Sequence, residues 1–371
     1  MARYLKPLAS PLCVGILLAL IGPWFGQAWG QNATAKKLIY YGWGIPDTQY
    51  VRDHWRQMEE MPFDGVGIRV AVDRLAWQRG ERATSNQLGW QITGQKAFRV
   101  EEFHGAIADL KAAHWKTLTD NFLPVALSPR YAARLNWFDD RRWHVVLNNF
   151  GILAQIAADG GLKGLILDPE HYDFSLFHYP DQRQQVHRAF EEYVKVARRR
   201  GREVMAAIAA HSPHAVCFSL YGYTLPLDNL KRSKSLQEAA YGLLPAFYDG
   251  LLEAMPAAAV LIDGYEHAFA FKRRNQFLNG YRSIHREAVK LSAVPERYRG
   301  KVRAGFGLWL DHKKQPDYFT PEEWRQAVSA ALEVSDGYVW IYSHGPRFFP
   351  PSGVEAPYIQ ATADARHGVR R

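Results

Sequence analysis

One short stretch, Gly164-Leu165-Ile166-Leu167-Asp168-Pro169-Glu170-His171-Tyr172, sets two carboxyl groups two residues apart at the end of an apolar run. Alternate side chains of an extended strand share a face, so Asp168 and Glu170 point the same way if strand geometry persists. Two carboxylates that close cannot both ionise cheaply, and the one that keeps its proton toward neutral pH can act as a general acid. Other apolar runs end in a related way. The run to Leu261-Ile262 is followed by Asp263, Gly264, Tyr265, Glu266 and His267, with Asp263 and Tyr265 sharing one parity. Trp309 and Asp311 share a face, as do Trp340, Tyr342 and His344, and Tyr41 and Trp43 do so near the start of the chain. Carboxyls that bond hydroxyls, among aromatic rings that stack on apolar CH faces, make a rim suited to carbohydrate.

The elements that must position these residues alternate along the chain. From Lys37 onward, short apolar, β-branched or aromatic runs are followed by segments of helical period, and the rhythm repeats about eight times, which argues for parallel βα units. The strand runs are 38–43, 63–70, 121–128, 164–168, 215–223, 258–265, 302–311 and 337–342. A long loop over 71–100, carrying Trp77 and Trp90, interrupts them. Ser235 with Glu238, and Thr320-Pro321-Glu322-Glu323, read as helix starts. Eight such units in one domain give the expected class: α/β, a single (β/α)8 TIM barrel over 37–371, with catalytic groups where strands pass into the following loops. An open doubly wound sheet would need a phosphate-binding turn after its first strand. Tyr41-Gly42-Trp43-Gly44-Ile45-Pro46 lacks the full dinucleotide fingerprint, and no nucleotide cofactor is expected.

The 371 residues are 47% hydrophobic and 22% charged, an ordinary globular composition. Arg3 and Lys6, the apolar stretch Leu12 to Ile21 and the small-x-small ending Ala28-Trp29-Gly30 read as a signal peptide over 1–30, followed by a short linker over 31–36. Export to the periplasm or the extracellular space follows, with no stable membrane insertion once the leader is removed. Cys217 is then the only cysteine, sits mid-strand and reads as core. The net charge of +9 is concentrated in Arg198-Arg199-Arg200-Gly201-Arg202, Lys272-Arg273-Arg274 and Lys313-Lys314, in or beside helices and with no nucleic-acid module around them. A solvated basic surface is the plain reading, and attraction of an anionic polysaccharide the sharper one.

With these residues in place, the chain resembles the (β/α)8 glycoside hydrolases. Asp168-x-Glu170 is similar to the Asp-x-Glu strand ending of the chitinase-like barrels, which implies Glu170 as the acid and Asp168 as the group that orients or stabilises substrate. Tyr265 and Trp340 loosely occupy the places of that family's tyrosine and floor tryptophan. The Asp-Gly-x-Asp opening of the chitinase motif is replaced by Gly161-Leu162-Lys163-Gly164, and Pro169 separates the acids. The resemblance therefore implies a glycosidase-like barrel and not membership of the chitinase family.

The expected catalytic set is Glu170, Asp168 and Asp311, with the separation of the Asp311 and Glu170 carboxyls left to decide whether Asp311 is a nucleophile from across the barrel. Tyr41, Trp43, Asp263, Tyr265, Glu266, Trp309, Tyr342 and His344 are the expected carbohydrate-binding set. Trp340 and Tyr40 read as core. A non-catalytic glycan-binding barrel is the first alternative. The second is a metal-dependent hydrolase built on His171, His267, His312 and His344, although parity spreads these histidines over different faces and no His-x-His lies on the first strand. No metal is expected. Amino-terminal sequencing of the exported protein should begin near Gln31; a soluble form that still begins at Met1 would contradict the leader.

Overall fold

The computed structural model describes residues 36–75, 86–128, 134–315 and 317–369. The leader, Trp77 and the linker up to residue 35 lie outside them. The strands are β1 Lys37–Tyr40, β2 Gly65–Val66, β3 Phe122–Ala126, β4 Gly164–Asp168, β5 Val216–Ser219, β6 Val260–Asp263, β7 Val302–Ala304, β8 Phe306–Trp309 and β9 Tyr338–Tyr342. These nine pair in parallel, in the orders β2-β1-β9-β8 and β3-β4-β5-β6-β7, and two further short strands, Arg347–Phe348 and Pro351–Ser352, form a separate antiparallel pair.

Two seams join these orders into a ring. At one, Gly67 bridges Phe122 in parallel and the Ile68 amide donates to the Phe122 carbonyl at 2.8 Å. At the other, β7 and β8 are halves of one run separated by Gly305, so the same stretch pairs with β6 through its first half and with β9 through its second. The Gly305 amide reaches the Asp263 carbonyl at 2.8 Å, which carries the pairing across the break. Eight strand positions in a closed ring are the barrel the strand rhythm predicts.

The pleat sorts side chains to the two sides of this ring. Ile39, Phe122, Ile166, Phe218, Ile262 and Trp340 fill the interior, whereas Leu38, Tyr40, Leu165, Leu167, Cys217 and Leu261 pack outward against the helices. Tyr40 and Trp340 are both core, on opposite sides of the wall. Trp340 crosses the barrel above Gly307, where a Cβ would lie 2.6 Å from the indole, and its Nε1 donates to the Gly264 carbonyl at 2.8 Å. Cys217 is fully buried, and burial pushes its thiol up to about 12.

Around the ring stand α1 Thr48–Met58, α2 His104–Lys111, α3 Asp140–Asp159, α4 Phe190–Ala209, α5 Leu244–Ala254, α6 Arg274–Arg282, α7 Pro321–Val334 and α8 Ala356–Val369. The capping box at Thr320 forms as its sequence suggests: its hydroxyl accepts from the Glu323 amide at 3.2 Å and Glu323 accepts from the Thr320 amide at 2.9 Å. The Ser235–Glu238 signal makes only a turn. Pro245 has no amide proton and clashes inside a helix, so α5 restarts with Pro245 in its first turn. The basic run of α4 is spent on ion pairs: Arg198 and Arg202 with Glu253, Arg199 and Arg200 with Asp140, and Arg200 with Glu203. Among the described residues, no helix is long and apolar enough to cross a membrane.

The tail forms α8, which lies on α7, with Trp324 Nε1 donating to Thr362 Oγ1 at 2.9 Å. Its Arg366 reaches Asp64 at 2.8 Å where both side chains are buried, and Asp64 also accepts from the Leu38 amide at 2.9 Å. This bridge ties the last helix to the first two strands. Removing one partner of a buried pair typically costs about 3–5 kcal/mol. Arg366→Met should therefore lower unfolding stability by about 3 kcal/mol in a urea titration, and adding Asp64→Asn should restore part of the loss.

Candidate active site

The C-terminal ends of the strands open onto a cavity of about 160 Å³. Asp168 ends β4, Glu170 and Tyr172 follow it on the same parity, and all three line the cavity. Asp168 Oδ1 accepts from the Glu170 amide at 3.0 Å, which turns the chain so that both carboxyls face inward. The Tyr172 hydroxyl bridges the pair, 2.6 Å from Asp168 Oδ2 and 3.0 Å from Glu170 Oε2. A phenol carries one proton and can donate to only one of them. The shorter contact, to Asp168 Oδ2, is the stronger of the two.

Burial, and then the charge of Glu170, pushes the Asp168 carboxyl up to about 7. Glu170 is also raised, by burial, against the opposing hydrogen bond from Tyr172. The two titrate as a pair that holds a proton toward neutral pH.

A third carboxyl joins them. β6 ends at Asp263, and Tyr265 adopts φ +40° and ψ +61°, a left-handed conformation that non-glycine residues seldom take. That twist breaks the alternation expected along 263–267 and turns Glu266, not Tyr265, into the cavity. Burial, and then the charges of Glu170 and Asp168, hold Glu266 well above the usual carboxylate range. Its Oε2 is buried and has no hydrogen-bond partner among the described residues.

Aromatic rings form the walls. Trp340 and Tyr41 lie below, with Phe269 between Trp340 and Tyr342 at centroid distances of 5.2 and 5.6 Å. Trp43, 43% exposed, stacks on Trp90 at 5.9 Å, and Trp90 meets Tyr172 at 4.6 Å. Trp90 comes from the long loop, whose helical turn Leu88–Gln91 docks over β3 because Gly89 lies against the Pro124 carbonyl, where a Cβ would be 2.0 Å away. Arg69 is the one cation among the described residues lining the cavity.

Of the expected residues, the structure brings Asp168, Glu170, Glu266, Tyr41, Trp43, Trp309 and Tyr342 to one cavity. It places Asp263, Tyr265, Asp311 and His344 outside its lining. Asp263 accepts from the Gly222, Thr224 and Tyr265 amides and from the Thr224 hydroxyl, and so fixes the turn after β5 to the end of β6. Asp311 accepts from Trp309 Nε1 at 2.9 Å and from the His344 and Gly345 amides at 2.8 and 2.9 Å. Both carboxylates are saturated by the chain they organise. Tyr265 packs against Phe306. Arg69, Gln87, Trp90, Tyr172 and Phe269 join the lining without having been singled out. For Tyr172 the signal was present in the alternation of 168, 170 and 172.

The four rim histidines lie apart. His171 stacks on Tyr241 at 4.0 Å, and burial lowers it to about 3. His267 faces Asp228 at 3.2 Å, His312 meets Trp309 and Tyr318 edge-on, and His344 lies 3.3 Å from the Tyr342 hydroxyl. Among the described residues, no three His, Cys, Asp or Glu side chains converge as a metal ligand set.

No protein-family model matches the chain, and no curated protein matches it. Solved structures of similar shape include a GH18 chitinase from Pseudoalteromonas aurantia, at 11% identity and TM-score 0.43, covering 89% of this chain and 99% of that one. A glycoside hydrolase family 5 enzyme from Prevotella bryantii B14 gives 9% identity, TM-score 0.49, and coverage of 90% and 96%. A 3-keto-D-glucoside 4-epimerase from E. coli gives 15% identity, TM-score 0.43, and coverage of 90% and 98%. One barrel shape hosts different reactions, so the assignment of the fold rests on the strand pairings and that of the site on its own side chains.

The cost of ionising Asp168 makes stability depend on pH. Below the ordinary value of 3.8 it is protonated folded and unfolded, so it adds no cost; between 3.8 and about 7 the folded protein keeps a proton the unfolded chain has lost, and above about 7 the full cost is present. Asp168→Asn should therefore be more stable than the native protein, by a margin that grows from pH 4 to 7 and then levels off in melting curves.

Proposed function

We propose that the protein is an exported glycoside hydrolase that cleaves a polysaccharide or glycan by carboxylate acid–base catalysis. The observation that carries this reading is the Asp168–Tyr172–Glu170 chain, a carboxyl pair holding a proton inside a small, aromatic-walled cavity. The Glu170 carboxyl donates its proton to the glycosidic oxygen as the bond to the anomeric carbon breaks. Asp168, held by Tyr172, shares the proton of the pair with Glu170, and once that proton is on Glu170 the Asp168 charge favours the positive charge that develops on the sugar ring. Trp43 and Trp90 offer a stacking face at the entrance.

The basic surface suits an anionic polymer, but the cavity does not: an acidic sugar would meet three carboxyls against Arg69. A neutral unit fits the cavity better, with any attraction of an anionic chain confined to the surface. Export rests on the leader-like residues 1–30.

Glu170→Gln preserves volume but cannot deliver a proton. On a polysaccharide the native protein cleaves, it should lower kcat by about 10²-fold or more with little change in binding. Asp168→Asn should lower activity and move the alkaline limb of the pH profile to lower pH, because loss of the neighbouring charge lets Glu170 ionise earlier. Near-normal turnover by Glu170→Gln would remove it as the acid. Glycan binding without cleavage by the native protein would establish the non-catalytic reading instead.

A further inference from the structure

We propose that Glu266 is the second catalytic carboxylate, the group that bonds the anomeric carbon of the sugar held in the cavity. This rests on the glycosidase reading above and gives the nucleophile a different address from Asp311.

The first ground is contrast among the buried acids at this end of the barrel. Asp263 meets four donor groups, Asp311 three and Asp168 two. Each of these is completed by the chain itself. Glu266 lines the same cavity as Asp168 and Glu170, yet its buried Oε2 meets no donor among the described residues. A buried carboxyl oxygen left without a partner carries its desolvation cost uncompensated. A ligand hydroxyl in the cavity would supply the missing bond, and in doing so would favour the ionised form that attack requires.

The second ground is the backbone. Placing Glu266 in the cavity takes a left-handed tyrosine at 265, a strained conformation that persists only where the surroundings enforce it. The third is position. Glu266 follows β6 and Glu170 follows β4, with one strand between them, so two carboxyls at the same mouth can address one sugar from different sides.

In the first step a lone pair of the Glu266 carboxylate forms a bond to the anomeric carbon. The bond from that carbon to the leaving oxygen breaks, its electron pair stays on oxygen, and the oxygen takes the Glu170 proton. The products are a glycosyl ester on Glu266, a free alcohol and a Glu170 carboxylate. In the second step Glu170 takes a proton from water, the water oxygen bonds the anomeric carbon, and the ester electron pair returns to Glu266. One water is consumed, Glu170 is protonated again, and the anomeric configuration is retained.

The test uses the full chain with Glu266→Gln and Glu266→Ala. Both are assayed on a panel of polysaccharides and of 2,4-dinitrophenyl glycosides, with and without sodium azide. On a glycoside the native protein cleaves, Glu266→Gln should lose about 10²-fold or more in turnover. Glu266→Ala should regain turnover with azide and release a glycosyl azide of inverted configuration, as a small nucleophile entering the vacated place must. Melting temperatures of both variants should equal or exceed the native value, because an unsatisfied buried carboxyl has been removed. Native-like turnover by Glu266→Gln, absence of azide rescue in folded Glu266→Ala, or a glycosyl azide of retained configuration would each overturn the assignment while leaving the glycosidase reading standing. If the native protein cleaves nothing in the panel, that reading falls and this inference with it.

Discussion

Asp168, Glu170 and Glu266 share one cavity in which burial raises all three, the charge of Glu170 adds to the cost of ionising Asp168, and the charges of both add to that of Glu266. Desolvation alone disfavours a buried carboxylate, and a second charge in the same low-dielectric space adds to it. The barrel holds the three together because each hangs from a strand end whose backbone is fixed on both sides by the ring. Tyr172 offsets part of that cost by donating its one hydroxyl proton within the pair, at the shorter contact to Asp168. What remains is a site that keeps protons near neutral pH, which is the property a general acid needs.

The same rim shows how the chain treats carboxylates it needs only for shape. Asp263 and Asp311 are as deeply buried as Asp168, but backbone amides surround them. Asp263 fixes the turn after β5, and Asp311 holds the segment after β9. Burial alone therefore does not separate the groups that organise the rim from those that face a ligand; the supply of donors does. The α4 arginines bind α4 to its neighbours through Glu253 and Asp140, so this basic run serves helix packing.

Much of this arrangement was legible in the sequence. The strand runs gave the ring, and the alternation of Asp168, Glu170 and Tyr172 gave the core of the site, because a period of two survives wherever a strand keeps its geometry. It failed at Tyr265: one left-handed residue reverses the parity of everything after it, and a tyrosine carries no sign of such a turn. Asp311 and Glu266 look alike in a sequence because their difference lies in donors from distant segments, His344 and Gly345 for Asp311 and none among the described residues for Glu266 Oε2. Trp90 was visible only as an aromatic in a long loop, since its place depends on Gly89 meeting Pro124. The helix of the tail is secured by Trp324 and Asp64, both far away in the chain.

The central claim is that the three carboxyls retain protons when ordinary surface acids have lost them. Carboxyl carbon NMR of the native protein, labelled at Asp and Glu and assigned with single Asn and Gln variants, measures this directly across pH 3 to 9. The account predicts that Asp168 changes state near pH 7, that Glu170 and Glu266 titrate above the ordinary glutamate range, and that the three curves are coupled. If all three complete their titration below about pH 5, independently of one another, the cavity is wetter or its charges farther apart than described, and the acid–base account is wrong.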